Sequence, residues 1–242
     1  MIYDGLQPST IAFILVFIGA FIQTSIGFGM AILAVPLLYL ISPDYIPAPI
    51  CSVAFIISMI NAYKYRSYIN LGDLKAAFIG RIPGSIAGGL FLLYVSQKVL
   101  AIWVGVLVLT AVVVSLLPYR FKATPMKMGW AGFFSGFFAT SSAIGGPPIA
   151  LVMQHQKTET IRANLAFFFT IGSLFTFVIQ AQTGNFTWYH IDLTLPLIPA
   201  ALLGYALATK TTHTLPKNKM RIGILFLCTL ASLIELWHAL TQ

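Results

Sequence analysis

The chain has 242 residues, of which 58% are hydrophobic and 8% charged, against roughly 25% charged in an ordinary soluble domain, and this excludes a water-soluble globule. Fourteen Lys and Arg against six Asp and Glu leave a net charge of +8. In a soluble protein that would point to nucleic acid, but in a membrane chain it is the excess of Lys and Arg that cytoplasmic loops carry, and no nucleic-acid partner is expected.

Apolar runs of the ~20 residues that a bilayer demands recur from residue 9 to residue 240, which leaves no segment for a folded aqueous domain. The opening residues MIYDGLQP carry Asp4 and no positive charge, unlike the n-region of a signal peptide, so this segment is expected to stay in the mature chain. The next apolar stretch, 9–41, is too long for one crossing and is interrupted by TSIGFG at 24–29. Single spans are predicted over 48–66, 74–96 and 99–118. A second over-long stretch, 126–156, is interrupted by TSSAIGGPP at 140–148, and further spans follow over 160–182, 193–210 and 220–240. Glycines permit positive φ, and consecutive prolines remove N–H donors, so unwound backbone is predicted at both interruptions.

Cys51 and Cys228 lie in apolar segments without a CxxC pattern and read as small core hydrophobes. Gly80, Gly84 and Gly88, spaced four apart, and Gly132 with Gly136 read as surfaces for close helix packing. Asp73 and Asp192, each at the start of a span, read as interface residues or helix caps. His155 and Glu159 form an i, i+4 pair without a third ligand and read as polar loop; neither a metal site nor a cofactor is expected.

Sliding the chain on itself by 117 places Gly19 on Gly136, Phe21 on Phe138, Ser25 on Ser142, Gly29 on Gly146 and Ile32 on Ile149. With a small shift of register Ile82-Pro83 falls on Ile198-Pro199, Gly88 on Gly204 and Gly105 on Gly223. The chain therefore reads as an internal duplication, with halves 1–120 and 121–242 forming one transport unit.

Loop charge chooses between two topologies. If 9–41 and 126–156 each cross the bilayer, the basic residues divide evenly between the two sides. If each is instead a re-entrant hairpin, twelve basic residues share one face and only Lys98 faces away, with Arg81 embedded. The arms 9–24 and 29–41 would span about 24 and 20 Å, short of a ~30 Å hydrocarbon core. The predicted fold is thus an all-α polytopic membrane protein of two inverted-topology repeats, each with three transmembrane helices plus a broken re-entrant helical hairpin. Both termini, and the loop at 182–192 that lacks Lys and Arg, are expected outside the cytoplasm.

Transporters of this build bind substrate near the midplane, where broken helices aim dipole ends and freed backbone groups at the solute. The helices starting near Met30 and Pro148 would offer N-terminal N–H groups and partial positive charge, an anion site. Gln23, Thr24, Ser25, Thr140, Ser141 and Ser142 supply hydroxyl and amide donors around them. For each hydroxyl alone, satisfying a freed carbonyl is an equally good account. Arg81, eight residues past Asp73, lies about 12 Å along its helix; it either snorkels to the cytoplasmic face or guides anions at the inner vestibule. No Asp or Glu falls near the middle of a span, the nearest being Glu235 toward the end of the last. Proton- or sodium-coupled carriers usually need such a carboxylate, whereas an interior-negative potential drives an anion out unaided. Export or channel-like facilitated flux is expected.

Ser25-Ile-Gly-Phe-Gly-Met-Ala in the first half and Gly145-Gly-Pro-Pro-Ile in the second, followed by Arg162-Ala-Asn164, resemble the TauE/SafE family of sulfite exporters, across essentially the whole chain. The resemblance implies movement of small sulfur-containing anions, sulfite or organosulfonates, across the bacterial inner membrane. It implies a permeation site at Ser25, Gly27, Gly29, Gly145, Gly146 and Pro147, with Phe28 in the same run and Arg162 and Asn164 flanking. Met30 and Ala31 stand where the second half has Pro147 and Pro148. The expected partners are a small anion and the lipid bilayer, with a homodimer admissible. The scattered histidines argue against an enzyme. A carrier or importer of another small solute and a membrane scaffold or assembly protein are the alternatives.

Overall fold

The computed structural model describes residues 8–26, 29–116, 123–154, 156–211 and 217–241. Asp4, Gly27, Phe28 and His155, singled out above, lie outside that set. Among the described residues every regular element is helical: α1 (Pro8–Ile26), α2 (Met30–Tyr39), α3 (Ala48–Lys64), α4 (Leu71–Tyr94), α5 (Gln97–Leu116), α6 (Pro125–Ser142), α7 (Gly146–Met153), α8 (Thr158–Gln182), α9 (Trp188–Thr194), α10 (Leu197–Thr211) and α11 (Lys217–Thr241). Five stretches of the described residues are long and apolar enough to cross a bilayer: Pro43–Lys64, Leu74–Tyr94, Gln97–Leu116, Thr158–Gln182 and Trp188–Thr211. α11 contains a shorter apolar stretch, Leu225–Thr241. Large apolar side chains such as Ile79, Leu93, Phe226 and Trp237 point outward, as they do where the surrounding solvent is lipid. The chain is an all-helical polytopic membrane protein.

The interruptions are tighter than the sequence predicts. α1 runs through Thr24 and Ser25, and α6 through Thr140, Ser141 and Ser142, so these residues are helical and not unwound. The turns sit at Gly29 (φ 117°) and at Ala143 (φ 65°), both left-handed. Glycine adopts that region freely, whereas alanine must be held there by its surroundings. A further break, unforeseen, divides the predicted 193–210 span between α9 and α10. Pro196 stands at that joint and offers no N–H, while a shift of 116 places Gly80 in its position in the first half, inside the unbroken α4. The N-caps of α4 and α9 are Asn70 and Thr187, not Asp73 and Asp192.

The predicted glycine surfaces do pack closely. A Cβ at Gly80 or Gly84 would overlap the carbonyl of Gly129 or Phe133, and one at Gly132 or Gly136 would run into the carbonyl of Ala77 or Arg81. The register rises together along both helices, so α4 and α6 run parallel. Gly204 places α10 on α1 in the same way, against the backbone of Phe17 and Phe21. α3 packs on α8, with the rings of Phe55 and Phe177 5.6 Å apart, and α5 on α11.

At each break the chain folds onto itself. A Cβ on Gly19 would lie 2.9 Å from Cγ of Met30, and the Ser135 hydroxyl donates to the Gly145 carbonyl at 2.6 Å. Two cores result: one among α1, α2, α3, α5 and α10, the other among α4, α6, α7 and α8. A cavity lies between them.

Candidate functional site

A cavity of about 70 Å³ opens between the two breaks. Its walls carry Gly29, Ala31 and Ile32 from the first turn of α2, and Gly145, Gly146 and Pro147 from the start of α7. Neither helix start has a side-chain cap, so their N–H groups are left for whatever occupies the cavity. Pro147 and Pro148 remove two donors from α7, which makes its contribution more dipole than hydrogen bond. Gln23, Ser58, Ser173 and Thr176 add polar side chains, while Cys51, Ala54, Ala139 and Phe169 supply apolar wall. Among the described residues no Asp or Glu lines it.

Arg81 contributes the charge. It does not snorkel: the residue is 1% exposed and its side chain lines the cavity. Nη1 donates to the Ser135 hydroxyl at 3.1 Å, and that hydroxyl donates onward to the Gly145 carbonyl, so the guanidinium is tied to the second break. The Phe168 ring lies beneath it, 4.9 Å from the ring centroid to Cζ. Gly172 makes room, since a Cβ there would overlap the guanidinium. Nε is buried without a hydrogen-bond partner among the described residues. A full charge and two helix dipole ends of roughly half a charge each therefore converge where no carboxylate opposes them. The arrangement suits a small oxyanion.

The predicted site residues divide into those that line this space and those that do not. Gln23, Gly29, Arg81, Gly145, Gly146 and Pro147 line the cavity, and Thr24 lines a smaller chamber beside it. Three hydroxyls turn back on carbonyls four residues earlier: Thr24 on Ala20, Ser141 on Phe137 and Ser142 on Phe138, each at 2.8 Å. Ser141 also accepts from Nε1 of Trp103 at 3.1 Å. The Thr140 hydroxyl pairs with that of Thr176 at 3.2 Å. Ser25 is 1% exposed; its hydroxyl has no partner among the described residues, and its carbonyl accepts from Nη2 of Arg162 at 3.0 Å. Asn164 is structural, accepting from the Asn70 N–H at 2.8 Å and donating to Gln156 at 3.2 Å.

Sequence reasoning missed Ser58, Ser135, Phe168, Gly172, Ser173 and Thr176, whose roles arise only when α3, α6 and α8 meet α4. Gly172, a glycine inside a helix, was the one local signal. Glu235 lies deeper than its position in the sequence suggests, at 1% exposure with neither carboxylate oxygen partnered among the described residues. It sits on α11 and lines neither the cavity nor the chamber.

No curated protein and no solved structure matches the chain. The model of a membrane-transporter family, described as sulfite exporter TauE/SafE, matches residues 11–234. With nearly the whole length covered, the chain belongs to the TauE/SafE sulfite exporter family.

Proposed function

We propose that this protein exports small sulfur-containing anions, sulfite or organosulfonates, across the bacterial inner membrane through the cavity between the two helix breaks. The observation that carries the proposal is the meeting of two uncapped helix starts and the buried Arg81 in one space without a carboxylate. Their combined positive potential compensates an anion's lost hydration, and the apolar walls keep that hydration out. The missing carboxylate also disfavours solutes that carry an ammonium group.

The path is built on two inverted repeats, 1–120 and 121–242, each with a re-entrant hairpin. Contacts between elements support this topology. Tyr39, at the end of α2, donates to the Gln97 carbonyl at 2.7 Å, and Asp44 accepts from Tyr189 at 3.0 Å, which groups the loops after α2, α4 and α8. Asn164 near the start of α8 bonds Asn70 before α4, which groups the opposite loops. α1 ends beside Tyr65 at the foot of α3, so α1 descends from the first face and α2 returns to it. α6 runs parallel to α4, from the second face, and α7 leads back to it. The second face carries Lys64, Arg66, Lys157 and Arg162 and is cytoplasmic.

An interior-negative potential favours anion exit by ~2.3 kcal/mol per charge per 100 mV. The test is sulfite flux in proteoliposomes of the purified chain. The expected flux follows an imposed potential and survives a proton uncoupler when the potential is clamped. Absence of flux, or flux that an uncoupler stops at clamped potential, would overturn the proposal.

A further inference from the structure

We infer that the protein holds a second oxyanion station at Arg162, in series with the Arg81 cavity on its cytoplasmic side; this rests on the transport reading above. A chamber of about 20 Å³ lies beside the cavity, and Gln23, Ser58 and Phe169 wall both. The two spaces thus form one path divided by a shared partition. Asn61, Tyr65 and Arg162 complete the far end, next to the exposed Lys64 and Arg66.

The chamber's charge is as unbalanced as the cavity's. Among the described residues no Asp or Glu lines it. Arg162 gives one bond to the Ser25 carbonyl at 3.0 Å, while its buried Nε has no partner among the described residues. The Ser25 hydroxyl, on the same final turn of α1, is also buried and has no partner among the described residues. A guanidinium held by a single neutral carbonyl in a low-dielectric setting is poorly compensated, and its planar fork of donors matches an oxyanion. In this state the chamber holds about one water, so an anion enters only as Arg162 gives up Ser25. Arrival of the ion and release of the last turn of α1 are then one event. Two anions in line repel each other, so an ion reaching Arg162 hastens departure of the one at Arg81, as in multi-site conduction.

The test measures sulfite binding to the purified full chain and flux in proteoliposomes of known orientation. The wild type should bind two sulfites per chain, and Arg162→Gln and Arg81→Gln one each. Arg162→Gln should raise the half-saturating sulfite concentration about tenfold for flux starting from the Arg66 side and leave it unchanged from the other, with Arg162→Lys intermediate. If Arg162→Gln does not fold, the Arg162→Lys asymmetry decides the matter. A single sulfite per wild-type chain, or an equal change from both sides, would overturn the second station while leaving the transport reading intact. No binding and no flux in the wild type would overturn that reading itself.

Discussion

Arg81 shows what a sequence conveys about a residue and where it stops. Its depth in the helix was readable by counting from Asp73, and so was the choice between reaching for the interface and facing inward. Its direction was not, because Ser135, Phe168 and Gly172 hold it from two other helices. Removing an uncompensated buried charge is neutral or stabilising when the replacement packs well. Arg81→Met should therefore match or exceed the wild type in anion-free melting temperature while losing sulfite flux by more than tenfold. A variant that melts early and transports normally would assign Arg81 to folding. The hydroxyls show the opposite limit. Thr24, Ser141 and Ser142 were chosen as donors by residue type, yet side chains of this kind bond their own helix when no other partner is nearer. Glu235 lines neither space, so Glu235→Gln should leave both flux and its insensitivity to uncoupler unchanged, measured in the same vesicles.

Glycine governs the elements more than the apolar pattern does. The spacing of Gly80, Gly84 and Gly88 was sufficient to predict a close helix contact, because only backbone can meet backbone there; α6 as the partner emerged from the structure. Gly84→Val would push into the Phe133 carbonyl and should destabilise the protein by about 1–3 kcal/mol. Gly223, which has open space around its Cα, is the matched control, and Gly223→Ala should leave the melting temperature in place. Equal melting of Gly84→Val and wild type would refute the α4–α6 contact. The helix breaks were legible from TSIGFG and TSSAIGGPP, but their width was not. Helix runs through the serines and threonines to Ile26 and to Ser142, with left-handed residues at Gly29 and Ala143, since serine and threonine tolerate a final turn in which they bond back to it. The break at Pro196 was passed over because the flanking residues stay apolar and periodic.

At the scale of the molecule, composition alone identified a membrane protein, and the offset of 117 residues aligned two breaks that the structure brings to one cavity. What the alignment could not supply was how the two arginines are held across the halves, Arg162 on the Ser25 carbonyl and Arg81 on the Ser135 hydroxyl, pairings that have no local signature. The proposed inverted arrangement makes a concrete demand on sidedness. Cys51 and Cys228 are buried, so single cysteines introduced at Asn185 and Lys217 can be read against a quiet background. Asn185→Cys should react with an impermeant maleimide from outside the cell and Lys217→Cys only after the inner face is opened. Reaction of both from one side would contradict the single crossing between them, and reaction of Lys64→Cys from the side opposite Lys217→Cys would remove the re-entrant hairpins.

The most direct measurement of anion binding between the breaks is the thermal stability of the purified chain across sulfite, thiosulfate, sulfate, sulfoacetate, taurine and acetate, for wild type, Arg81→Met and Gly146→Leu. An anion at 100 times its dissociation constant stabilises by about 2.7 kcal/mol. The wild type should gain stability with sulfite or sulfoacetate and not with taurine, and both variants should gain less, keeping only what an anion at Arg162 supplies. Equal stabilisation of all three proteins, or of none, would contradict binding at this site.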